Sequence, residues 1–285
     1  DAFGINRDDL VPGDKHLNLE DLAHLPNPSK ELCTQLKPRP MTLNCLDEKE
    51  SIFRYVSKKD LMLHFPYHSF EHFIHFLYEA VHDPSCKEIM ITQYRVAENS
   101  VVINTLIAAA QNGKKVTVFV ELKARFDEEN NINWAKMLEK AGCHVIYGLV
   151  GLKTHSKITL VVRMEEDGIR RYVHLGTGNY NDSTAKLYTD CGILTCNPQI
   201  GEDATAVFNM LSGYSEPLAW NKLSVAPLWL RGRFLRMIRR EAEHAREGRP
   251  AHIMAKMNSL CDKEIITALY EASCAGMCPS PCRPL

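Results

Sequence analysis

The strongest constraint on the fold is a regular alternation of short apolar segments with amphipathic segments between residues 88 and 148. Three apolar runs, EIMITQY, KVTVFVEL and CHVIYG, have the length and composition of buried strands. The segments between them, SVVINTLIAAAQNG and NNINWAKMLEKAG, show helical spacing and end at Gly113 and Gly142, and Ser100 is placed to cap the first. Strands that alternate with helices predict an α/β domain with a largely parallel core.

Further segments extend this pattern on both sides. HSKITLVVR, RYVHLG and YTDCGILT follow without helices between them, so they predict strands that extend the sheet, partly in the antiparallel direction. HSFEHFIHFLYEAVH before the alternation and GEDATAVFNML after it predict amphipathic helices, and residues 227–247 predict a long basic helix. Residues 1–50 are rich in proline and predict loops, with one helical turn at NLEDLAHL.

The composition limits the choice of partners. The chain has 285 residues, with 34 basic and 35 acidic side chains, so its charge gives no argument for nucleic acid or for an anionic membrane. No apolar run approaches the roughly 20 residues that span a bilayer, although peripheral membrane association stays open. The start has no signal-peptide pattern and no initiator Met, so we expect the chain to begin inside a longer protein. Seven of the ten cysteines are dispersed and the other three lie together in the C-terminal tail, a usage that favours reduced thiols and a cytoplasmic location.

Four loops bring basic, histidine or glycine residues to the ends of predicted strands, where the ligands of open α/β sheets lie. The residues are Arg95 in the first loop, Lys123 and Arg125 in the second, Lys153, His155 and Lys157 in the third, and His174, Gly176, Gly178 and Asn179 in the fourth. Guanidinium forks, ammonium charges and backbone N–H groups beside glycine all suit phosphate. The loops therefore predict a phosphate-binding crevice.

His155 and Lys157 stand two residues apart where an apolar run begins, so strand alternation predicts that they share one face. A neutral imidazole is a nucleophile toward phosphorus. A neighbouring lysine disfavours its protonation and stabilises the charge that develops on the phosphoryl oxygens. The alternative is a boundary histidine held by the backbone, but Lys157 and the upstream arginine loops favour the catalytic role.

Two long segments, VELKARFDEENNINWAKMLEKAGCHVIYGLVGLKTHSKITLVVR and RYVHLGTGNYNDSTAKLYTDCGILT, closely resemble the first family of polyphosphate kinases, whose catalytic half consists of two phospholipase-D-like domains. The resemblance implies an α/β fold with a phospholipase-D-like mixed sheet flanked by helices. The expected divisions are the end of a head domain with its linker at 1–60, a first catalytic domain at 61–220, a connecting basic helix at 221–249 and the start of a second, similar domain at 250–285.

The resemblance also implies a role for each residue of the predicted site. His155 matches the histidine that becomes phosphorylated, with Lys157 in support. His174 matches a second histidine, for which a supporting role and a catalytic role stay open. Tyr188 matches a tyrosine that contacts the nucleotide, and Arg95 and Arg125 match arginines near the phosphates and the magnesium site. Lys123, Lys153 and Asn179 are predicted as further binding residues of the loops, and Asp190 is an inferred supporting residue.

The implied reaction is the reversible transfer of the terminal phosphate of ATP to polyphosphate through a phosphohistidine, with Mg²⁺ neutralising phosphate oxygens. ATP, ADP and inorganic polyphosphate are the expected partners, and the full-length protein is expected to be a homo-oligomer. A phospholipase-D-like phosphodiesterase or nuclease and a non-catalytic polyanion-binding fragment are the alternatives. The first of these needs two copies of H-x-K-x4-D, whereas this chain has one copy in which Val162 replaces the aspartate.

The sequence departs from the family in two further places. Phe65 stands where a second histidine is frequent, and the chain runs from AGM into CPSPCRPL where the family continues into a strand. The segments IMITQYRVAENSVVINTLIAAAQNG and IMAKMNSLCDKEIITALYEASCAG are similar to each other, which suggests an internal duplication whose second copy has just begun. We therefore expect a composite site that lacks one wall, and little polyphosphate synthesis by the 285-residue chain.

Overall fold

A computed structural model of the chain describes residues 13, 39–43, 50–94, 96, 100–121, 128–148, 151–213, 217, 219–257, 259–276 and 280–281. The chain divides into two units, Asp1–Arg39 and Pro40–Leu285. In the first unit only Gly13 and Arg39 are described, so the expected helical turn NLEDLAHL lies outside the described residues. The second unit contains all the elements that follow.

The described part of the second unit contains seven α-helices, nine strands and a short 3-10 helix at Thr184–Lys186. The helices are α1 Ile52–Val56, α2 Glu71–His82, α3 Val101–Gln111, α4 Glu128–Lys140, α5 Pro198–Leu211, α6 Leu230–Arg246 and α7 Lys263–Cys274. The strands are β1 Leu61–Phe65, β2 Cys86–Gln93, β3 Lys115–Val120, β4 His144–Tyr147, β5 Lys157–Glu165, β6 Gly168–Gly176, β7 Asp190–Thr195, β8 Met254–Ala255 and β9 Ser280–Pro281. None of the helices described is long and apolar enough to cross a membrane.

Seven of the strands form one sheet in the order β1-β7-β6-β5-β2-β3-β4. Strands β2, β3 and β4 are parallel, and α3 and α4 connect them as the alternating pattern predicts. The parallel core expected from the alternation is confirmed for these three strands, and the other strands extend the sheet in the antiparallel direction, so that four of the six neighbouring pairs are antiparallel. The α/β class, a mixed sheet flanked by helices, is confirmed.

Apolar side chains cover both faces of this sheet. One face packs against α1 to α4 through a cluster that includes Phe53, Phe73, Phe76, Ile89, Leu106 and Leu138. The other face packs against α5 through a smaller cluster that includes Phe119, Leu160, Val173 and Phe208. Burial of apolar area stabilises a fold by about 25 cal/mol per Å². Packing on both faces therefore stabilises the strands whose ends form the candidate site. A third cluster joins α6 to α7 through Leu235, Ile238, Ala242, Ala268 and Ala272.

Element boundaries follow local signals in the sequence. Ser100 caps α3 by accepting the N–H of Ile103 at 3.2 Å, and Gly113 follows that helix at a φ of +79°, a conformation that favours glycine. The basic helix α6 begins at Leu230, later than predicted, because residues 226–229 form a turn in which Trp229 N–H donates to the carbonyl of Val225. Helix α1 and the edge strand β1 were not predicted from the sequence.

The cysteines that the structure describes are free thiols: Cys86, Cys143, Cys191, Cys196, Cys261 and Cys274. Burial raises the pKa of Cys86 to about 12 and that of Cys143 to about 11. Since the thiolate is the reactive form, these two side chains act as small apolar groups of the core. Cys278 and Cys282 of the C-terminal segment lie outside the described residues.

Candidate active site

One edge of the seven-stranded sheet gathers the loops that were predicted to form the site. Strands β2 and β3 end at this edge, and β5 begins there because it runs antiparallel to β2. Strand β6 ends beside the start of β5, with Gly176 opposite Lys157, and the first half of β7 lies at the same edge, with Gly192 opposite Gly176. The described parts of the third and fourth predicted loops therefore lie at one edge of the sheet. Arg95 lies outside the described residues, as do Lys123 and Arg125 in the second loop.

His155 and Lys157 occupy different environments at this edge. His155 lies in the coil before β5 and its side chain is exposed, whereas the Lys157 side chain is buried, with 6% exposure. The prediction that both lie on one strand face is wrong, because β5 begins only at Lys157. Both side chains nevertheless contact the ring of Tyr94: the two ring centroids of His155 and Tyr94 are 4.8 Å apart at 82°, and Lys157 Nζ lies 5.2 Å from the Tyr94 centroid.

The buried Lys157 ammonium is held beside the backbone of His155. Its Nζ donates to the carbonyl oxygen of His155 at 2.5 Å. Burying an ammonium is costly unless its protons are hydrogen-bonded, and an aromatic face adds a favourable cation–π contact. The carbonyl of His155 and the ring of Tyr94 therefore fix a positive charge close to the exposed imidazole.

A buried carboxylate fixes the loop that carries His155. Glu121 directly follows β3 with 3% exposure, and its Oε2 accepts the backbone N–H of Thr154 at 2.8 Å. Gly148 lies against the same carboxylate, since a Cβ at this position would be 2.9 Å from Glu121 Oε2. Glu121 thus contacts Gly148 and Thr154, which come before and after residues 149 and 150 in the chain.

Asn131 connects the ends of two strands to helix α4. It is fully buried, and its Nδ2 donates to the carbonyl oxygens of Tyr94 and Glu121 at 2.9 Å each. Together with the contacts above, these bonds close a ring that passes through four supporting residues, here called the His155 frame: Tyr94, Glu121, Asn131 and Thr154. Its members lie just after β2, just after β3, in α4 and in the coil before β5.

His174 lies within β6 and is 2% exposed. Its Nδ1 is 3.0 Å from the hydroxyl of Tyr180, and its ring centroid is 4.7 Å from that of Phe73. Burial lowers the pKa of His174 to about 3, so the ring is neutral at physiological pH. Its Nε2 faces Gly192, where a Cβ would lie 2.5 Å away, and has no hydrogen-bond partner among the described residues. This enclosure favours the supporting role among the two that the sequence left open.

The glycine-rich loop after β6 lies against a carboxylate. Asp190 Oδ1 accepts the hydroxyl of Thr177 at 2.7 Å, and a Cβ at Gly178 would overlap the Asp190 side chain. Gly178 therefore makes room for Asp190. The side chains around the small cavity beside this loop include His174, Asn179, Tyr180, Asp190, Phe65 and Phe70.

The remaining predicted contacts lie at the surface near this edge. Lys153 is exposed in the coil before His155, and Tyr188 is 62% exposed just before β7. Lys256, which directly follows β8, donates from Nζ to the carbonyl of Thr189 at 2.9 Å, so its ammonium bonds to the residue next to Tyr188. Lys256 was not predicted from the sequence, because nothing in the short strand before it indicates that this lysine bonds to the loop before β7.

Sequence reasoning also missed most of the His155 frame, although one member leaves a signal. Asn131, Trp134 and Leu138 follow helical spacing and are all buried, so Asn131 is a polar residue on the apolar stripe of α4. A polar side chain in that place has to find buried partners. Tyr94 and Glu121, by contrast, could be recognised only once the neighbouring strands were known.

Two family models match this chain. The polyphosphate kinase C-terminal domain 1 matches residues 51–217, and the polyphosphate kinase C-terminal domain 2 matches residues 223–278. The first model alone covers more than half of the chain. The chain belongs to the polyphosphate kinase family.

Individual relatives agree with this assignment. The polyphosphate kinase of Halalkalibacterium halodurans is 60% identical over 227 residues, which are 80% of this chain and 32% of that relative. The polyphosphate kinase of Synechocystis sp. is 56% identical over 227 residues, covering 79% of this chain and 31% of the relative. The crystal structure of the polyphosphate kinase of Porphyromonas gingivalis matches with a TM-score of 0.83 and 39% identity, over 95% of this chain and 45% of that one. The chain thus spans about a third of the length of these curated relatives.

Proposed function

We propose that this chain carries the nucleophile of an ATP–polyphosphate phosphotransferase. A ring nitrogen of His155 attacks the terminal phosphorus of ATP. The new N–P bond forms as the bond to the bridging oxygen breaks, and ADP leaves with that electron pair. A terminal oxygen of polyphosphate then attacks the phosphohistidine and releases the imidazole, and the reverse sequence regenerates ATP.

The observation that carries this proposal is an exposed imidazole whose loop is held from several sides. Nucleophilic catalysis needs a side chain that the substrate can reach and whose position is already fixed. His155 is exposed, while the neighbouring Thr154 and Lys157 are bound to Glu121 and to the His155 carbonyl. The fixed ammonium of Lys157 supplies a positive charge where negative charge accumulates on the phosphoryl oxygens.

The other predicted contacts have proposed roles that follow from exposure and charge. Lys153 and Lys256 are exposed cations suited to phosphate oxygens, and Tyr188 presents an open aromatic face to a nucleotide base. For Arg95 and Arg125 a role at the phosphates is proposed from the resemblance to the family. His174 and Asp190, together with Asn179, are proposed to support the sheet edge.

The described residues give no protein cage for magnesium. No three histidine, cysteine, aspartate or glutamate side chains come together as metal ligands in this part of the chain. Arg95 and Arg125, which the resemblance to the family implies near the phosphates and the magnesium site, carry guanidinium groups that suit phosphate oxygens and cannot ligate a metal. Magnesium in kinases is bound largely by substrate phosphates and water, so its proposed place is on the bound ATP.

The domain divisions also remain a proposal. The two family models meet between residues 217 and 223, which supports a division near residue 220. The first catalytic domain is accordingly proposed at 61–220, the connecting helix at 221–249 and the start of the second catalytic domain at 250–285.

Labelling with ATP that carries a radioactive terminal phosphate tests the proposed function. We expect an acid-labile, alkali-stable phosphoenzyme in the unmodified chain and in the control His144→Gln, an exposed histidine on β4. His155→Gln should abolish the label, since it removes the nucleophile while keeping a similar volume. A phosphodiesterase would gain no label from ATP, and a binding protein would only retain the nucleotide. Label that persists in His155→Gln would remove His155 as the nucleophile.

A further inference from the structure

We propose that the side chain of Tyr94 is the positioning residue of the His155–Lys157 pair, an inference that rests on the proposed function of His155. The ring contacts both partners, with the His155 ring edge-to-face at 4.8 Å and the Lys157 ammonium at 5.2 Å. Lys157 Nζ also donates to the His155 carbonyl. Three groups are therefore joined pairwise, and the aromatic ring reaches both functional side chains.

The backbone beneath this ring is held in place. The carbonyl of Tyr94 accepts Nδ2 of buried Asn131, and Thr92, two residues earlier, binds the start of β5. Thr92 Oγ1 donates to the carbonyl of Ser156 at 2.7 Å and accepts the N–H of Ile158 at 3.1 Å. These bonds hold Ser156 and Ile158, the residues on either side of Lys157. The end of β2 that leads to Tyr94 is therefore hydrogen-bonded to the start of β5.

An exposed imidazole gains the most from such a contact. The His155 side chain is exposed in the coil before β5. Contacts with neighbouring side chains therefore restrict rotation about its side-chain bonds. An edge-to-face ring contact restricts both the tilt and the distance of the imidazole. Misplacing a reacting group by about 1 Å can cost roughly 100-fold in rate, so this restriction bears directly on phosphoryl transfer.

The proposal makes the ring, and not the hydroxyl of Tyr94, the required group. Tyr94→Phe keeps both ring contacts, whereas Tyr94→Leu keeps an apolar side chain without an aromatic face. The chain offers a matched control in Tyr78, whose ring lies 4.2 Å from that of His82 on α2 and whose side chain is 56% exposed. Tyr78→Leu removes a tyrosine–histidine contact of the same kind away from the site.

The test measures the initial rate of His155 phosphorylation over a range of ATP concentrations in these variants. We expect Tyr94→Leu to lower the rate at saturating ATP about tenfold or more, within the range for a misplaced group, with the half-saturating ATP concentration changed less than about twofold. Tyr94→Phe should restore at least half of the rate, and Tyr78→Leu should match the unmodified chain. Diethyl pyrocarbonate modifies exposed imidazoles without first binding at the site. It should react with His155 in Tyr94→Leu at least as fast as with His155 in the unmodified chain.

Three results would overturn the inference: an unchanged rate in Tyr94→Leu, an effect confined to the half-saturating ATP concentration, or a Tyr94→Phe variant as slow as Tyr94→Leu. A chain that is never labelled at His155 would instead overturn the proposed function. In that case relaxation of the His155 ring measured by NMR still decides the positioning role. The ring should become more mobile in Tyr94→Leu and not in Tyr94→Phe, and equal mobility in all variants would refute it.

Discussion

At the residue scale, the site depends on side chains that never face the solvent. Asn131 is fully buried and donates to two carbonyl oxygens, one at the end of β2 and one just after β3. Glu121 and Lys157 are nearly as buried, and each bonds to the chain within one residue of His155 or to His155 itself. The reactive group is thus a single exposed imidazole supported by an interior polar network, which is costly to disturb.

Replacing Asn131 by aspartate should be strongly destabilising. The carboxylate cannot donate, so it would face the carbonyl oxygens of Tyr94 and Glu121 with its charge buried. We expect a loss of roughly 3 kcal/mol in the free energy of unfolding, measured by urea denaturation. Asn133→Asp on the exposed face of the same helix is the control and should change stability by less than about 0.5 kcal/mol. Equal effects of the two substitutions would contradict the network.

His174 should make stability depend on pH. Because burial lowers its pKa to about 3, the unfolded chain binds a proton at this residue between about pH 6.5 and 3 and the folded chain does not. This contribution to stability is fully present above pH 6.5 and falls by up to about 1.4 kcal/mol per pH unit as the pH decreases. His174→Gln should flatten the dependence between pH 7.5 and 5.5, with exposed His144→Gln as the control. An identical pH dependence in unmodified chain and His174→Gln would refute the assignment.

At the element scale, repeating patterns could be read from the sequence, whereas the neighbours of each strand could not. The βαβ alternation gave β2, α3, β3, α4 and β4 close to their observed bounds, because period and capping are local signals. The insertion of β5 beside β2 depends on tertiary pairing, which leaves no periodic mark. That insertion also determines that Tyr94 faces His155, so the aromatic contact in the site could not be foreseen.

The packing of α5 on the sheet relies on a glycine. A Cβ at Gly201 would lie 2.9 Å from Cβ of Arg171 in β6, a contact that neither backbone can relieve cheaply. Gly201→Ala should therefore lower the free energy of unfolding by about 1–3 kcal/mol despite the better helix propensity of alanine. Gly232 in α6 has only the end of the Arg236 side chain nearby, at 3.6 Å. Gly232→Ala should accordingly raise the free energy of unfolding by up to about 1 kcal/mol. If urea denaturation shows that both substitutions raise, or both lower, the free energy of unfolding, the proposed role of Gly201 is wrong.

At the scale of the whole molecule, the chain belongs to the polyphosphate kinase family and spans about a third of the length of its curated relatives. A phosphoryl group in transfer needs charge on both of its sides. The described residues supply such a charge from one sheet edge, through Lys157 and the exposed lysines. We therefore expect other parts of a complete family member to supply the opposite wall.

Polyphosphate synthesis from Mg-ATP should reveal that requirement. The 285-residue chain should be nearly inactive. The same chain joined to the flanking portions of the Halalkalibacterium halodurans relative should be faster by about 100-fold or more, the range for one lost preorganised donor. Similar turnover in the two proteins would show that the site is complete within this chain.

The central claim is that His155 carries the phosphate through the reaction. The most direct measurement is a chase: the chain is labelled with ATP carrying a radioactive terminal phosphate, freed of nucleotide and then mixed with ADP. We predict that the label leaves His155 and appears as the terminal phosphate of ATP, because each half of a phosphotransfer is reversible at the same site. Label that stays on His155, or that appears only as inorganic phosphate, would contradict the claim.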